Sequence, residues 1–223
     1  MVVTRWWWVR HAPVTEDGGC IYGSSDVKAN CGDRPAFEGL ARMLPHGAVW
    51  VTSHLSRTVD TAAAIRAAGH PGSDPAQAFV ERAVVEQNFG TWQGRPRAEV
   101  YAEIGKKHNF WLAPAETRPP EGESFVEVSE RVAGAVRRLT AAHCGRDIVC
   151  VAHGGSIRAA LRLALDLPPR GALAFSIDNL SVTRLDHIAE EGGPEGADGV
   201  WRIVLVNHAP HDGGAALASA PVA

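Results

Sequence analysis

The first thirteen residues constrain the fold of this chain more than any other stretch. Apart from Arg5, residues Val2–Val9 are β-branched or aromatic, which is typical of a strand buried on both faces of a parallel sheet. Trp6-Trp7-Trp8 fall on this strand, where core packing accounts for them better than base stacking does. The strand is predicted to end at Arg10-His11, because Pro13 cannot continue a hydrogen-bonded ladder.

Arg10-His11 is the first place where chemistry is expected. In open α/β sheets, ligands bind beyond the carboxyl ends of the strands. The positive charge of Arg10 disfavours a charged imidazolium beside it, so His11 is predicted to be neutral near pH 7. A neutral imidazole can act as a nucleophile or as a base.

Helical and strand-like patterns alternate along the rest of the chain. Helices are predicted over Pro35–Leu44, from Ser56 as the N-cap to Ala68, over Ala98–Lys107, from the capping box Ser124–Glu127 to Ala142, and from Ser156 to Leu165. Further strands are predicted over Ala48–Thr52, Phe79–Val85, Asp147–Ala152, Ala174–Leu185 and Val200–Val206, the last two as a hairpin at one sheet edge.

This alternation predicts an α/β fold, a three-layer α/β/α sandwich with a mostly parallel sheet. One domain is expected over residues 1–209, with a small helical insertion, or lobe, over 95–122. The Ala- and Gly-rich tail over 210–223 is expected to be disordered.

Charge, cysteine usage and hydropathy limit the function classes. The chain has 223 residues and a formal net charge of −3, which argues against a general nucleic-acid binder. Its four cysteines are irregularly spaced, as expected of reduced intracellular thiols rather than a disulfide framework or a zinc site. The N-terminal apolar run is too short for a signal peptide, and no run has membrane-spanning length. We therefore expect a soluble cytoplasmic protein.

Charged or titratable residues follow the ends of the predicted core strands. These residues are Arg10-His11, Arg57, Glu86 and His153. The carboxyl ends of parallel strands meet at one edge of a sheet, so these side chains are expected to meet there. Arginine donates paired hydrogen bonds to phosphate oxygens, and the helix N-termini at this edge add backbone donors. The sequence thus predicts a cationic pocket for a phosphoryl group.

Five sequence blocks carry a resemblance to a known protein family. They are Arg10-His11-Ala12, Ser53–Ala62, Glu86–Gly94, Gly122-Glu123-Ser124 and Val151–Arg158. In this order, the blocks resemble those of the histidine phosphatase superfamily, also called phosphoglycerate mutase-like. The resemblance covers residues 5 to about 160 and implies the phosphoglycerate mutase-like fold.

The resemblance also implies roles for the predicted cluster. His11 would be the nucleophile and form a phosphohistidine, which water then hydrolyses. Arg10, Arg57 and His153 would hold the phosphoryl oxygens, while Glu86 would protonate the leaving group and later activate water. Phosphoryl transfer depends mainly on positioning and on charge stabilisation at the equatorial oxygens, which suits these residues. Neither a metal nor a cofactor is implied, because the fixed cations take the place of a metal ion.

The expected ligand is a small phosphorylated substrate or inorganic phosphate. Residues predicted to contact it are Tyr22 and Gly23 in the long loop over 12–34, His54 in the second block, and Gly154 at the last helix N-terminus. The lobe over 95–122 is expected to cover the site and set selectivity, through Arg95, Arg97, Lys106, Lys107, Phe110 and Trp111. Neither a nucleic-acid nor a membrane partner is expected, and the sequence does not indicate the oligomeric state.

Two departures from the family pattern bear on the activity. Ala12 stands where the family usually has glycine, which predicts a small change in the backbone after His11. Residues 13–20 do not resemble the loop with which mutases hold both substrate and phosphorylated product, and this favours a phosphatase. A cofactor-dependent phosphoglycerate mutase and a non-catalytic phospho-ligand binding protein stand as alternatives.

Overall fold

One sheet of six strands lies at the centre of the computed structural model, which describes residues 1–15, 17–71, 78–105, 114–190 and 199–210. In spatial order the strands are β3 (Phe79–Val80), β2 (Val49–Thr52), β4 (Asp147–Ala152), β1 (Val2–Arg10), β5 (Val182–Ala189) and β6 (Val200–His208). The first four run parallel, and β5 and β6 pair antiparallel with their preceding neighbours in this order. The prediction of a mostly parallel sheet with an edge hairpin is confirmed.

The tryptophans of β1 form the core on both faces of this sheet. Trp6 and Trp8 are fully buried and stack with ring centroids 5.1 Å apart on one face. Trp7 packs on the opposite face, where the guanidinium of Arg184 lies 4.7 Å from its ring centroid. Arg184 is buried and pairs with the buried Asp186 at 2.9 Å. The prediction that β1 is covered on both sides is confirmed.

Helices complete the two outer layers. Their ranges are α1 (Arg34–Met43), α2 (Ser56–Ala67), α3 (Arg97–Ile104), α4 (Phe125–Ala142), α5 (Gly154–Leu165) and α6 (Pro169–Ala172), with 3₁₀ turns at Arg82–Val84 and Gly90–Trp92. α4 and α5 pack on the Trp6 side of the sheet, whereas α1 and α2 pack on the Trp7 side. The predicted capping box of Ser124 and Glu127 is present at the start of α4. The three-layer sandwich is therefore confirmed.

Two predicted strands are shorter than expected. The prediction over Phe79–Val85 was wrong after Val80, because the Glu81 carboxylate accepts the Ala83 N–H and starts a 3₁₀ turn. The prediction over Ala174–Leu185 was wrong before Val182. There, Leu180 has a positive φ of 62°, which an extended strand does not allow.

The start of α2 also differs from the prediction. Ser56 is the first helical residue rather than the N-cap, a position that Leu55 occupies. Asp26 replaces the missing cap from a distant loop, since its Oδ1 accepts the Ser56 N–H at 2.8 Å and the Ser56 hydroxyl at 2.7 Å. This contact ties the loop over 12–34 to the helix.

Some sequence predictions lie outside the described residues. These are the ones for Lys106, Lys107, Phe110 and Trp111 in the lobe, and for 211–223 in the tail. Pro210, at the start of the predicted tail, is buried, and its carbonyl lies against Gly39 of α1. Within the described part of the chain, none of the helices is both long and apolar enough to pass through a membrane. All four cysteines lie in that part and are free thiols.

Candidate active site

The register of the two central strands brings His11 and His153 together. β1 and β4 are parallel with Arg10 opposite Ala152, and the His11 N–H extends the ladder by donating to the Ala152 carbonyl at 2.9 Å. Both strands end here, so the next residue of each faces the same space. The two imidazoles are buried, and their ring centroids lie 5.2 Å apart.

His11 is held as a neutral imidazole whose Nε2 carries no proton. Its Nδ1 lies 2.7 Å from the Ala12 carbonyl oxygen, which can only accept, so Nδ1 carries the proton and Nε2 keeps its lone pair. Burial lowers the pKa of His11 to about 3, and the charges of Arg57 and Arg10 act in the same direction. The backbone around it is fixed by Asn179, whose amide donates to the His11 carbonyl at 2.8 Å.

His153 is neutral for the same physical reasons. Burial holds its pKa well below the ordinary value, and His11 and Arg57 lower it further. The Arg57 Nε–H donates to His153 Nδ1 at 3.3 Å, so the ring proton lies on Nε2, which donates to the Ser53 hydroxyl oxygen at 2.8 Å. Ser53, at the end of β2, therefore orients this imidazole.

Arg57, in the first turn of α2, joins the histidines to the loop over 12–34. Its Nη1 donates to the Ser25 carbonyl and its Nη2 to the Gly23 carbonyl, each at 2.7 Å. Burial lowers the pKa of Arg57, and the nearby Glu86 carboxylate opposes that change. A guanidinium has five N–H groups, and within the described part of the chain these bonds and the one to His153 use three, which leaves two for a ligand.

Two further arginines approach the N-terminus of α5. Arg10 donates from Nη1 to the Ile177 carbonyl at 2.6 Å, while its buried Nε has no hydrogen-bond partner among the described residues. Arg158 donates from Nε to the Phe175 carbonyl at 2.8 Å, and burial lowers its pKa to about 10. A Cβ at Gly154 would lie 3.0 Å from Arg158 Nη1 and 3.7 Å from Arg10 Nε, so glycine lets both cations approach the backbone.

Glu86 lies beside the N-terminus of α5. Its Oε1 accepts the Gln87 N–H at 2.9 Å, and the Gly155 N–H at the start of α5 lies 3.2 and 3.3 Å from its two carboxylate oxygens. Its negative charge opposes the lowering of the pKa of both Arg57 and Arg158. The carboxyl group is thus close to the cations that surround the two histidines.

A cavity of about 140 Å³ opens beside Glu86. Its lining residues are Ile21, Tyr22, Gly23, Glu86, Phe89, Arg97 and Tyr101. Arg97 is paired with Asp17 at 2.6 Å, and the Tyr22 ring lies 5.2 Å from the Arg57 guanidinium carbon. Tyr22 and Gly23 therefore line this cavity, and their contact with substrate stays a prediction. His54 is an exposed side chain that is not one of the seven lining residues, and its contact with substrate stays a prediction.

The comparison with protein families decides the identity. The family model described as histidine phosphatase superfamily (branch 1) matches residues 6–196. The chain belongs to the histidine phosphatase superfamily. The five blocks, whose resemblance predicted this family, all lie inside the matched range.

Relatives of this superfamily member include phosphatases. Glucosyl-3-phosphoglycerate phosphatase of Mycolicibacterium vanbaalenii is 32% identical over 182 residues, which cover 77% of this chain and 78% of the relative. A bifunctional protein of Mycobacterium tuberculosis is 36% identical over 157 residues, and the match spans 70% of this chain but only 40% of that longer protein. A 2,3-bisphosphoglycerate-dependent phosphoglycerate mutase of Methanococcus vannielii is 28% identical over 120 residues, covering 48% of this chain and 51% of the mutase.

The solved structures agree with the fold. The native structure of a mycobacterial glucosyl-3-phosphoglycerate phosphatase has a TM-score of 0.77 and 25% identity, and it covers 93% of this chain and 100% of its own. Structures of that phosphatase with inorganic phosphate and with VO₃ match with TM-scores of 0.73 and 0.74. That mycobacterial phosphatase therefore binds inorganic phosphate and VO₃.

The sequence of this histidine phosphatase superfamily member predicted most of the cluster but missed several supporting residues. Ser53, Asn179 and Arg158 were given no role, although Ser53 and Arg158 lie inside the blocks. For Arg158 a signal existed, namely an arginine in the first turns of the helix that follows His153. Nothing in the sequence singles out Asn179. The described residues bring no group of three or more His, Cys, Asp or Glu side chains into metal-binding geometry.

Proposed function

We propose that this protein hydrolyses phosphate monoesters of small metabolites, without a metal, through a phosphohistidine on His11. The observation that carries the proposal is the neutral imidazole of His11, with an unprotonated Nε2. It lies beside arginine N–H groups that have no acceptor among the described residues. Arg10 Nε and two N–H groups of Arg57 are such donors. A phosphoryl group satisfies these donors and presents its phosphorus to the nucleophile.

The first step transfers the phosphoryl group to the protein. His11 Nε2 attacks phosphorus, and an N–P bond forms as the bond to the leaving-group oxygen breaks. In this proposal the negative charge of the bound phosphoryl group favours the protonated form of Glu86, which gives its proton to that oxygen, so the leaving group departs as a neutral alcohol. Arg10, Arg57 and His153 stabilise the charge on the three equatorial oxygens.

The second step regenerates the enzyme. The Glu86 carboxylate takes a proton from water as the water oxygen attacks the phosphohistidine. The N–P bond breaks, its electron pair returns to His11 Nε2, and inorganic phosphate leaves. Each cycle then consumes one ester and one water, and Glu86 ends protonated as it began.

The leaving group occupies the cavity beside Glu86 in this proposal. A cavity of about 140 Å³ is similar in size to one that holds a benzene ring. Aromatic walls from Tyr22, Phe89 and Tyr101 suit a ring or a short polyol. The natural substrate is thus proposed to be a small phosphorylated metabolite whose leaving group is roughly ring-sized. A cytoplasmic location belongs to the same proposal and is supported by the four free thiols.

The test of the nucleophile uses p-nitrophenyl phosphate with EDTA present. We expect release of phosphate by the unaltered protein and none by His11→Ala. Rapid acid-free quenching and mass spectrometry should find one extra phosphoryl group in the unaltered protein only. Activity that persists in His11→Ala, or a phosphoryl group on another residue, would overturn the proposal.

Phosphoglycerate mutase is the second candidate, favoured only by the mutase relatives. It requires interconversion of 2- and 3-phosphoglycerate that is stimulated by 2,3-bisphosphoglycerate. We expect no such stimulation, because residues 13–20 lack the mutase pattern.

Replacing the lobe over 95–122 by a short linker should change the relative rates on different phosphoesters while p-nitrophenyl phosphate is still hydrolysed. An equal loss on every substrate would contradict a role in selectivity.

A further inference from the structure

One arginine of α4 holds the whole segment that carries Glu86. Arg131 Nη1 donates to the carbonyls of Ala83 and Val85 at 2.6 and 2.9 Å, and its Nη2 lies 3.3 Å from the Glu86 carbonyl. Three backbone carbonyls, two before the acid and its own, thus converge on one guanidinium. The helix beneath it is rigid, because α4 is capped by Ser124 and packs into the core.

The same guanidinium is paired with Glu123. Arg131 Nε and Nη2 donate to the two Glu123 oxygens at 2.9 and 2.7 Å, a bidentate pair that is only about one fifth exposed. Glu123 in turn accepts the Asn88 N–H at 3.0 Å, and its own N–H donates to the Asn88 carbonyl at 2.9 Å. The backbone is therefore clamped on both sides of Glu86, before it by Arg131 and after it by Glu123.

Close backbone packing leaves this arrangement little freedom. A Cβ at Gly90 would lie 1.9 Å from the Pro120 carbonyl oxygen, and one at Gly122 would lie 2.5 Å from the Asn88 carbonyl oxygen. The two strips of chain meet with no side chain between them. A shift of the Glu123 strip would therefore move the backbone next to Glu86.

We propose that the Arg131–Glu123 pair is a positioning device for the general acid, which sets where the Glu86 carboxyl meets the leaving-group oxygen. This inference rests on the proposed role of Glu86 as acid. Neither Arg131 nor Glu123 needs to touch the substrate. A lysine could not replace the arginine, since a single ammonium cannot serve three carbonyls and a bidentate carboxylate together.

The readout that separates positioning from mere stability is the dependence of rate on the leaving group. An acid matters most when the leaving oxygen is basic, and general acid catalysis contributes about 10²–10⁴-fold. We would measure kcat/KM for a series of similar-sized aryl phosphates, from p-nitrophenyl to phenyl phosphate, whose phenol has a pKa of about 10. The slope against leaving-group pKa reports how well the acid works.

In Arg131→Gln we expect a loss of less than about 3-fold on p-nitrophenyl phosphate and of about 10–100-fold on phenyl phosphate, because a misplacement near 1 Å costs on the order of 10²-fold. These unequal losses make the slope of kcat/KM against leaving-group pKa steeper. Arg131→Lys should steepen the same slope to a smaller extent. Adding Glu86→Gln to Arg131→Gln should steepen the slope no further than Glu86→Gln alone.

The matched control is Arg138→Gln, also on α4, which breaks the contact with Glu81 at the far end of the same segment. We expect Arg138→Gln to have the same shallow slope of kcat/KM against leaving-group pKa as the unaltered protein, even if its thermal stability is lower. Equal losses on all substrates in Arg131→Gln, or an unchanged slope, would overturn the positioning role. A steep slope in the unaltered protein that Glu86→Gln does not change would instead overturn the proposed acid itself.

Discussion

Arg57 donates from Nε to Nδ1 of His153 across 3.3 Å, and this bond makes Nδ1 of the neutral His153 ring an acceptor. A phosphoryl oxygen is also an acceptor, so the bound ligand and this nitrogen repel each other unless the ring gains a proton. The negative charge of a phosphate dianion favours that protonation.

Phosphate binding is therefore expected to take up about one proton at the pair of histidines. Calorimetric titration at pH 8, in two buffers of different ionisation enthalpy, measures this uptake with inorganic phosphate as the ligand. His153→Asn should abolish the uptake, whereas His11→Asn should keep it. Loss of the uptake in His11→Asn alone would place the proton on the nucleophile and contradict this prediction.

The buried histidines also predict acid sensitivity. Burial lowers the pKa of His11 from 6.5 to about 3. Between these two pH values, His11 binds a proton in the unfolded chain but not in the folded protein. The free energy of unfolding should therefore fall as the pH drops from about 6.5 toward 3. One such group contributes a slope of at most about 1.4 kcal/mol per pH unit.

Urea denaturation between pH 7.5 and 4 checks the sign and size of this effect. The asparagine variant of His11 lacks the titrating group, so its stability should fall less steeply over the same range. Curves for the two proteins that run parallel would show that His11 does not contribute.

Gly23 is expected to tolerate no side chain. Its φ is +46°, and a Cβ there would lie 2.5 Å from Gln93 Oε1 and 2.6 Å from the Gln87 carbonyl oxygen. Gly23→Ala should cost about 1–2 kcal/mol for the left-handed backbone and about 1–3 kcal/mol more for the overlap. Its carbonyl also holds Arg57, so phosphate affinity should fall.

Gly19→Ala is the matched control. Gly19 has a φ of +75° with no atom within 4 Å of the added Cβ, so only the backbone cost of about 1–2 kcal/mol is expected. Thermal unfolding and phosphate titration of the two variants measure both effects. Similar results for both positions would refute the packing argument.

The buried ion pair of β5 gives a prediction about the core. Asp186 pairs with Arg184 at 2.9 Å and with Arg202 at 2.8 Å. Asp186→Asn leaves buried positive charge without its counter-charge, which typically costs about 3–5 kcal/mol. Glu38→Gln, which breaks the exposed pair with Arg34, should change the stability by less than about 1 kcal/mol. Comparable losses in both variants, seen in urea denaturation, would contradict this expectation.

The meeting of Arg10, His11, Arg57 and His153 could be predicted from sequence, because each lies at or shortly after the end of a strand whose apolar pattern is local. Glu86 was placed with them through a predicted strand that in fact ends at Val80, six residues before it. Parallel pairing then brings the strand ends together. The blocks also gave the family. The short strand at Phe79 could not be predicted, since the turn depends on the Glu81 side chain competing with the ladder.

The contacts between side chains and distant backbone carbonyls could not be predicted from the sequence either. Arg131 binds the carbonyls of Ala83 and Val85 from more than 45 positions away, and every residue offers a carbonyl, so no residue type marks the acceptor. Asp26 at the start of α2 is a similar case, because the cap comes from 30 residues upstream of Ser56. Such pairs depend on tertiary placement rather than on local pattern.

The bonds from Arg57 to the loop carbonyls of Gly23 and Ser25 have a practical consequence. An anion that immobilises this guanidinium also immobilises the loop, in which Lys28 is exposed to trypsin. Protection of the peptide bond after Lys28 would then report site occupancy directly. Candidate metabolites could be ranked by limited proteolysis, with no chromogenic group attached to them.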